Sequence, residues 1–167
     1  VTSLANLFWI FSWHYHLISF SLLFMLVILF YLIKINSILR QKNLSLKENF
    51  FIKAPFSIYF GWITVATIAN VTTLLVSLNW NGWGISPAIW TVIILIIGAL
   101  IGLFRTLADK NIFYGLVFIW AYFGIWFKHT SANGFSGQYP AVINTLIVLE
   151  VLFLISLASL IFKKNKK

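Results

Sequence analysis

The chain has no cysteine and only three acidic residues, and charged residues make up 9% of its 167 positions. Without cysteine there are no disulfides and no thiolate metal sites. The low charge excludes an ordinary soluble domain, which carries about 25% charged residues. There is no initiator methionine, and the start lacks the basic, apolar and small-residue order of a secretory signal. The chain opens directly in apolar sequence at Val1, which suggests a fragment or a processed product. No nucleophile–base pair, phosphate-binding glycine loop or metal-ligand spacing is present either, so an enzyme is not expected.

What the chain does have is hydrophobic sequence. It is 61% hydrophobic with a mean hydropathy of +0.96. A spanning helix needs about 20 apolar residues. Residues 56–78, 87–104, 112–127 and 140–162 fit or nearly fit, the third of these being short. The opening run, 4–33, covers roughly 45 Å as one helix and is too long for a single span. His14-Tyr15-His16 divides it into a truncated span and a full one, the alternative being one long tilted helix. The expected fold is therefore all-α, a multi-pass transmembrane helix bundle of about six spans.

The net charge of +9 could suggest nucleic acid, but its distribution gives a simpler account. Lys34, Arg40, Lys42, Lys47 and Lys53 fall in one predicted loop, Arg105 and Lys110 flank Asp109 in another, and Lys163, Lys164, Lys166 and Lys167 end the chain. Alternating spans put these eleven on one side and Lys128 on the other. The positive-inside rule makes the larger group cytoplasmic, in a cell-membrane protein. Contact with anionic lipid heads fits the same distribution, and no nucleic-acid partner is needed. Trp9, Trp13, Trp80, Trp83, Trp90 and Trp126 then fall near the outer interface, as an aromatic belt does. Trp62 and Trp120 lie well inside their spans, where a belt does not reach.

Helical periodicity sorts the span that holds Trp62. At about 100° per residue, Tyr59, Trp62, Ala66, Asn70, Thr73 and Ser77 share an arc of roughly 80°. A stripe of aromatic, small and hydrogen-bonding residues is expected to face protein or a cavity, because polar groups in hydrocarbon find no water. Helix–helix packing alone would also produce it. Thr64, Thr67 and Thr72 lie off the stripe and can bond their own preceding carbonyls.

These residues also carry a resemblance. Tyr59-x-x-Trp62-x-x-x-Ala66-Thr67-x-x-Asn70 resembles the last-helix signature of the TspO family, the tryptophan-rich sensory proteins related to the peripheral benzodiazepine receptor. Ile58 stands where that family usually has the proline of a Pro-Tyr pair, and the chain's proline is at Pro55. Asn6-x-x-Trp9, with aromatics through Trp13, is similar to the family's third-helix pattern, with Ala5 in place of leucine. The likeness covers about residues 1–80. It implies TspO-like helices matching family helices three to five in 1–80, with the first two absent from this chain. Residues 81–167 then form three additional helices and a basic cytoplasmic tail.

The resemblance further implies a membrane receptor or carrier that binds a tetrapyrrole or sterol-like molecule between helices. Asn6, Trp9, Trp13, Tyr59, Trp62, Ala66 and Asn70 would line the pocket. Porphyrin or haem would be the ligand, and no resident cofactor is implied with certainty. A proton-coupled transporter using Glu150 and a structural membrane subunit without ligand are the alternative readings.

Glu150 stands near the centre of the last span, where an acid is costly and usually functional or paired. Helical rise puts it close to the depth of Asn70 in the proposed topology, so a shared polar cluster is expected. Gly98-x-x-x-Gly102 marks close packing within the chain or between copies, which leaves a homo-oligomer open. His14 and His16, two residues apart, would point to different helix faces and are read as turn residues, not metal ligands. The stretch 79–84, rich in Asn and Gly, reads as an outer turn.

Overall fold

A computed structural model describes residues 1–164, and no strand occurs among them. The α-helices in order are α1 (Thr2–His14), α2 (Ile18–Gln41), the single turn α3 (Leu46–Glu48), α4 (Ala54–Ser77), α5 (Pro87–Ala108), α6 (Ile112–Thr130) and α7 (Pro140–Lys164). A π-helical turn at Asn49–Lys53 joins α3 to α4, and a 3-10 turn at Gly82–Gly84 precedes α5. Among the described residues, five stretches are long and apolar enough to cross a membrane: Ile18–Gln41, Leu46–Ser77, Pro87–Ala108, Ile112–Thr130 and Pro140–Lys163. With 13 residues, α1 rises only about 20 Å, short of a full span.

The opening apolar run is two helices, and the single tilted helix does not form. His16 has φ 56°, in the left-handed region, where an L-residue does not continue a right-handed helix. The Leu17 N–H closes the turn on the Ser12 carbonyl at 2.8 Å. His14 ends α1 and His16 sits in the turn, so the two imidazoles do not share a helix.

The basic stretch is mostly helical, which corrects the loop expected between Lys34 and Lys53. Lys34 and Arg40 lie on α2, because Ile35, Ile38 and Leu39 prolong its apolar pattern without a Gly or Pro. Only residues 42–45 link α2 to α3. Ser45 restarts the helix through a capping box: its hydroxyl accepts from the Glu48 N–H, and the Glu48 carboxylate accepts from the Ser45 N–H at 2.8 Å. Pro55 follows in the first turn of α4. A proline removes one helical donor and crowds the preceding turn, and π adjustment is a usual accommodation in spanning helices.

The chain forms two compact units, Val1–Trp80 and Asn81–Lys167. In the first, α2 packs on both α1 and α4. Its buried positions, Ser21, Met25, Ile28, Leu32 and Asn36, recur every three or four residues and make one narrow face. Against it α4 buries Ser57, Phe60, Gly61, Ile63, Thr64, Thr67 and Asn70. Small residues here let the two backbones approach, which is the main source of attraction between helices in lipid.

In the second unit, α5, α6 and α7 pack pairwise. The rings of Tyr114, Phe118, Tyr122 and Phe153 form its centre, with Phe118 stacked on Phe153 at 5.3 Å. Gly102 makes room for them: a Cβ there would stand 2.7 Å from the Phe118 ring and 2.8 Å from Phe153. The Gly98–Gly102 motif is thus used inside the chain, with both glycines buried. The Tyr122 hydroxyl donates to the Leu95 carbonyl at 2.7 Å and ties α6 to α5.

Candidate functional site

The stripe on α4 divides between two environments. Asn70, 3% exposed, faces α2. Its amide oxygen accepts from the Ser21 hydroxyl at 3.3 Å, and its nitrogen donates to the same hydroxyl at 3.2 Å. Trp62 is instead 43% exposed, with Tyr59, Ala66 and Thr73 half-buried and Ser77 exposed. At about 100° per residue, Trp62 points nearly opposite the face that α4 buries on α2. The stripe expected to face protein or a cavity is thus split, with Asn70 meeting α2 and Trp62 lying outside that contact. The buried face of α4 is lined with small residues, Ser57, Gly61 and Thr64 among them, and bonds α2 through Ser57 and Asn70; an indole does not fit in so narrow a seam. Thr64, Thr67 and Thr72 do bond the carbonyls four residues before them, at 2.8, 2.7 and 3.0 Å.

At the other end of the α2–α4 seam, the Asn36 side chain accepts from the Ser57 hydroxyl at 3.2 Å. It also donates to the Phe56 carbonyl across the seam at 3.3 Å and to Leu32 on its own helix at 3.0 Å. Ser21, Asn36 and Ser57 carry only a weak sequence signal. The available signal was small and polar residues at three- and four-residue intervals inside an apolar run, on two neighbouring spans.

Asn6, Trp9 and Trp13 share one side of α1, within roughly 60° by helical periodicity. Asn6 and Trp9 are half-buried and Trp13 is exposed. Phe8 stacks on Phe24 of α2 at 5.4 Å, and Ser21, about one turn away, meets Asn70. The α1 and α4 motifs therefore flank the same end of α2. The Trp9 indole nitrogen is buried and has no hydrogen-bond partner.

Glu150 lies midway along α7, half-buried beside Tyr122 and Phe123 of α6. Its Oε1 is buried with no hydrogen-bond partner. Asn70 and Glu150 thus find these neighbours in different units, Ser21 for one and α6 for the other. The Trp126 indole nitrogen, about one turn before the end of α6, is buried and without a hydrogen-bond partner among the described residues. Trp90 has its N–H on the Gly82 carbonyl at 2.7 Å, holding the 3-10 turn in which Trp83 adopts φ 54°. Arg105 and Asp109 pair at 2.9 Å within one turn of helix. Among the described residues no group of three or more His, Cys, Asp or Glu could hold a metal ion.

No curated protein and no solved structure gives a significant match to the chain. The family model described as TSPO-like protein matches residues 1–159. That match is wider than the two motifs and runs from α1 through most of α7, so the helices of the second unit fall within the family's own pattern. The five spanning helices, the Trp62–Asn70 stripe and the match over nearly the whole chain agree: this is a membrane protein that belongs to the TSPO-like protein family.

Proposed function

We propose that the protein is a membrane receptor or carrier for a flat hydrophobic ligand of the tetrapyrrole or sterol-like class. The ligand lies against the Tyr59, Trp62 and Ala66 side of α4 and the Asn6, Trp9 and Trp13 side of α1. The observation that carries this reading is Trp62, which sits well inside its span yet stands outside the α2–α4 seam. Tryptophan is favoured at the membrane interface, and an indole at this depth offers a broad aromatic face to a flat ligand. Binding between helices works through apolar and aromatic walls with a few polar groups that set orientation. Trp62 supplies ring surface and Ala66 leaves space. Trp9 offers a donor with no other partner. Asn70, already joined to Ser21, holds the wall in register. Porphyrin or haem is then ligand, not resident cofactor.

Adding protoporphyrin to the full chain should quench tryptophan fluorescence saturably, and Ala66→Leu should weaken that quenching. Quenching without saturation would count against the proposal, as would saturable quenching that Ala66→Leu leaves unchanged.

A second reading, proton-coupled transport, is favoured by the unpartnered Glu150 oxygen. Uptake into vesicles would then depend on pH, and Glu150→Gln would abolish that dependence. In either reading the basic ends of the helices face the cytoplasm of a cell-membrane protein.

A further inference from the structure

Among the described residues of the second unit, three buried side-chain polar atoms lack a hydrogen-bond partner, Thr106 Oγ1 on α5, Glu150 Oε1 on α7 and Trp126 Nε1 on α6, and the last two belong to one flank. Phe123 connects them. Its ring stacks on Trp126 at 5.7 Å, and its backbone lies beside the Glu150 carboxyl. The two orphaned atoms are therefore on adjacent turns of the α6–α7 pair, one an acceptor and the other a donor. Buried polar groups in native proteins are almost always satisfied, so a pair left over by the fold calls for a partner from outside it.

The chemistry of that partner is constrained. An indole N–H only donates, so the partner must accept. The carboxyl oxygen needs a donor. An ammonium has no acceptor to offer, and a phosphate or carboxylate would repel the acid whenever it ionises. A single hydroxyl does both with one atom. Around the pair, Trp120, Phe123, Ile147, Val151 and Leu154 are exposed apolar side chains, which suits an alkyl body. We propose that this flank is a second ligand site, separate from the α1–α4 site, for a hydroxyl-bearing amphiphile. The hydroxyl accepts from Trp126 and donates to Glu150, and the Phe123 ring, 55% exposed, swings aside to admit it.

The test is photolabelling of the full chain in nanodiscs with a long-chain alcohol that carries a diazirine, beside the matching alkyl diazirine without the hydroxyl. Label from the alcohol should concentrate on residues 119–126 and 147–154, and 1-decanol should compete for it where decane does not. Trp126→Phe keeps the ring stack but removes the N–H, and Glu150→Leu removes the acceptor. Each should cut specific labelling by about five-fold, the equivalent of one hydrogen bond.

Glu150→Gln retains an acceptor oxygen and should keep the labelling, whereas proton-coupled uptake would be lost. That outcome separates this site from the transport reading. Equal labelling by the two probes would overturn the proposal, as would competition by decane. Labelling unchanged in Trp126→Phe would do the same, and this variant carries the test if Glu150→Leu does not fold.

Discussion

Ser21 and Asn70, 49 residues apart in the chain, exchange hydrogen bonds of 3.3 and 3.2 Å in the buried seam between α2 and α4. Each side chain would otherwise lack a partner at membrane depth, and together they fix the register of two antiparallel helices. Cross-helix hydrogen bonds of this kind are worth about 0.6 kcal/mol on average, up to about 1.7.

Ser21→Ala and Asn70→Leu should each lower stability by about 0.5–1.5 kcal/mol. Because both remove the same interaction, the double variant should cost less than the two singles added together. Unfolding titrations in mixed micelles of all three variants measure this. Strict additivity would show that the pair is not coupled.

The other end of the seam is an independent case. Asn36 bonds Ser57 and the Phe56 carbonyl, roughly 22 Å from Ser21 along α2 by helical rise. At that distance Asn36→Leu and Ser21→Ala should add within about 0.5 kcal/mol. The same titrations test it, and a large coupling would mean that the seam opens as one unit.

Gly102 is the position where the second unit is least tolerant. Its missing Cβ leaves space for two rings, at 2.7 Å for Phe118 and 2.8 Å for Phe153. Overpacking of this type costs about 1–3 kcal/mol. Gly102→Ala should therefore lower the unfolding midpoint, whereas Gly124→Ala, where an added Cβ meets nothing within 4 Å, should not. Midpoints that fall equally would contradict the packing described.

Several parts of this arrangement were legible in the sequence because each rests on a local signal. The break at His14-Tyr15-His16 separates two apolar runs, and the glycine pair on α5 announces close packing. The family was readable from the spacing of Tyr59, Trp62, Ala66 and Asn70, and the family model extends the match to residues 1–159. What periodicity could not supply was direction. It groups Trp62 with Asn70 on one arc, and the seam divides that arc because α4 meets α2 through Ser57 and Asn70. Charge alone also places helix ends too early. Lys34 and Arg40 instead ride on α2, as long basic side chains can when their stems lie along apolar surface. The unpartnered nitrogens of Trp9 and Trp126 had no sequence signal, because an indole at the interface and an orphaned one are written with the same letter.

Orientation is open to a simple measurement because the native chain has no cysteine. A single cysteine in place of Asn43 should react with a membrane-impermeant maleimide only from the cytoplasmic side. One in place of Asn133 should react only from outside. Reversed labelling would overturn the positive-inside assignment.

In the proposed function α4 turns its Trp62 and Ala66 side toward a ligand and its Ser57 and Asn70 side toward α2. The most direct measurement is the protoporphyrin dissociation constant of Trp62→Phe and Ala66→Leu against Thr72→Val, whose hydroxyl bonds only its own helix at Ile68. The account predicts about ten-fold weaker binding in Ala66→Leu, a smaller loss in Trp62→Phe and no change in Thr72→Val. Unchanged affinity in both stripe variants, with the fold intact, would contradict it.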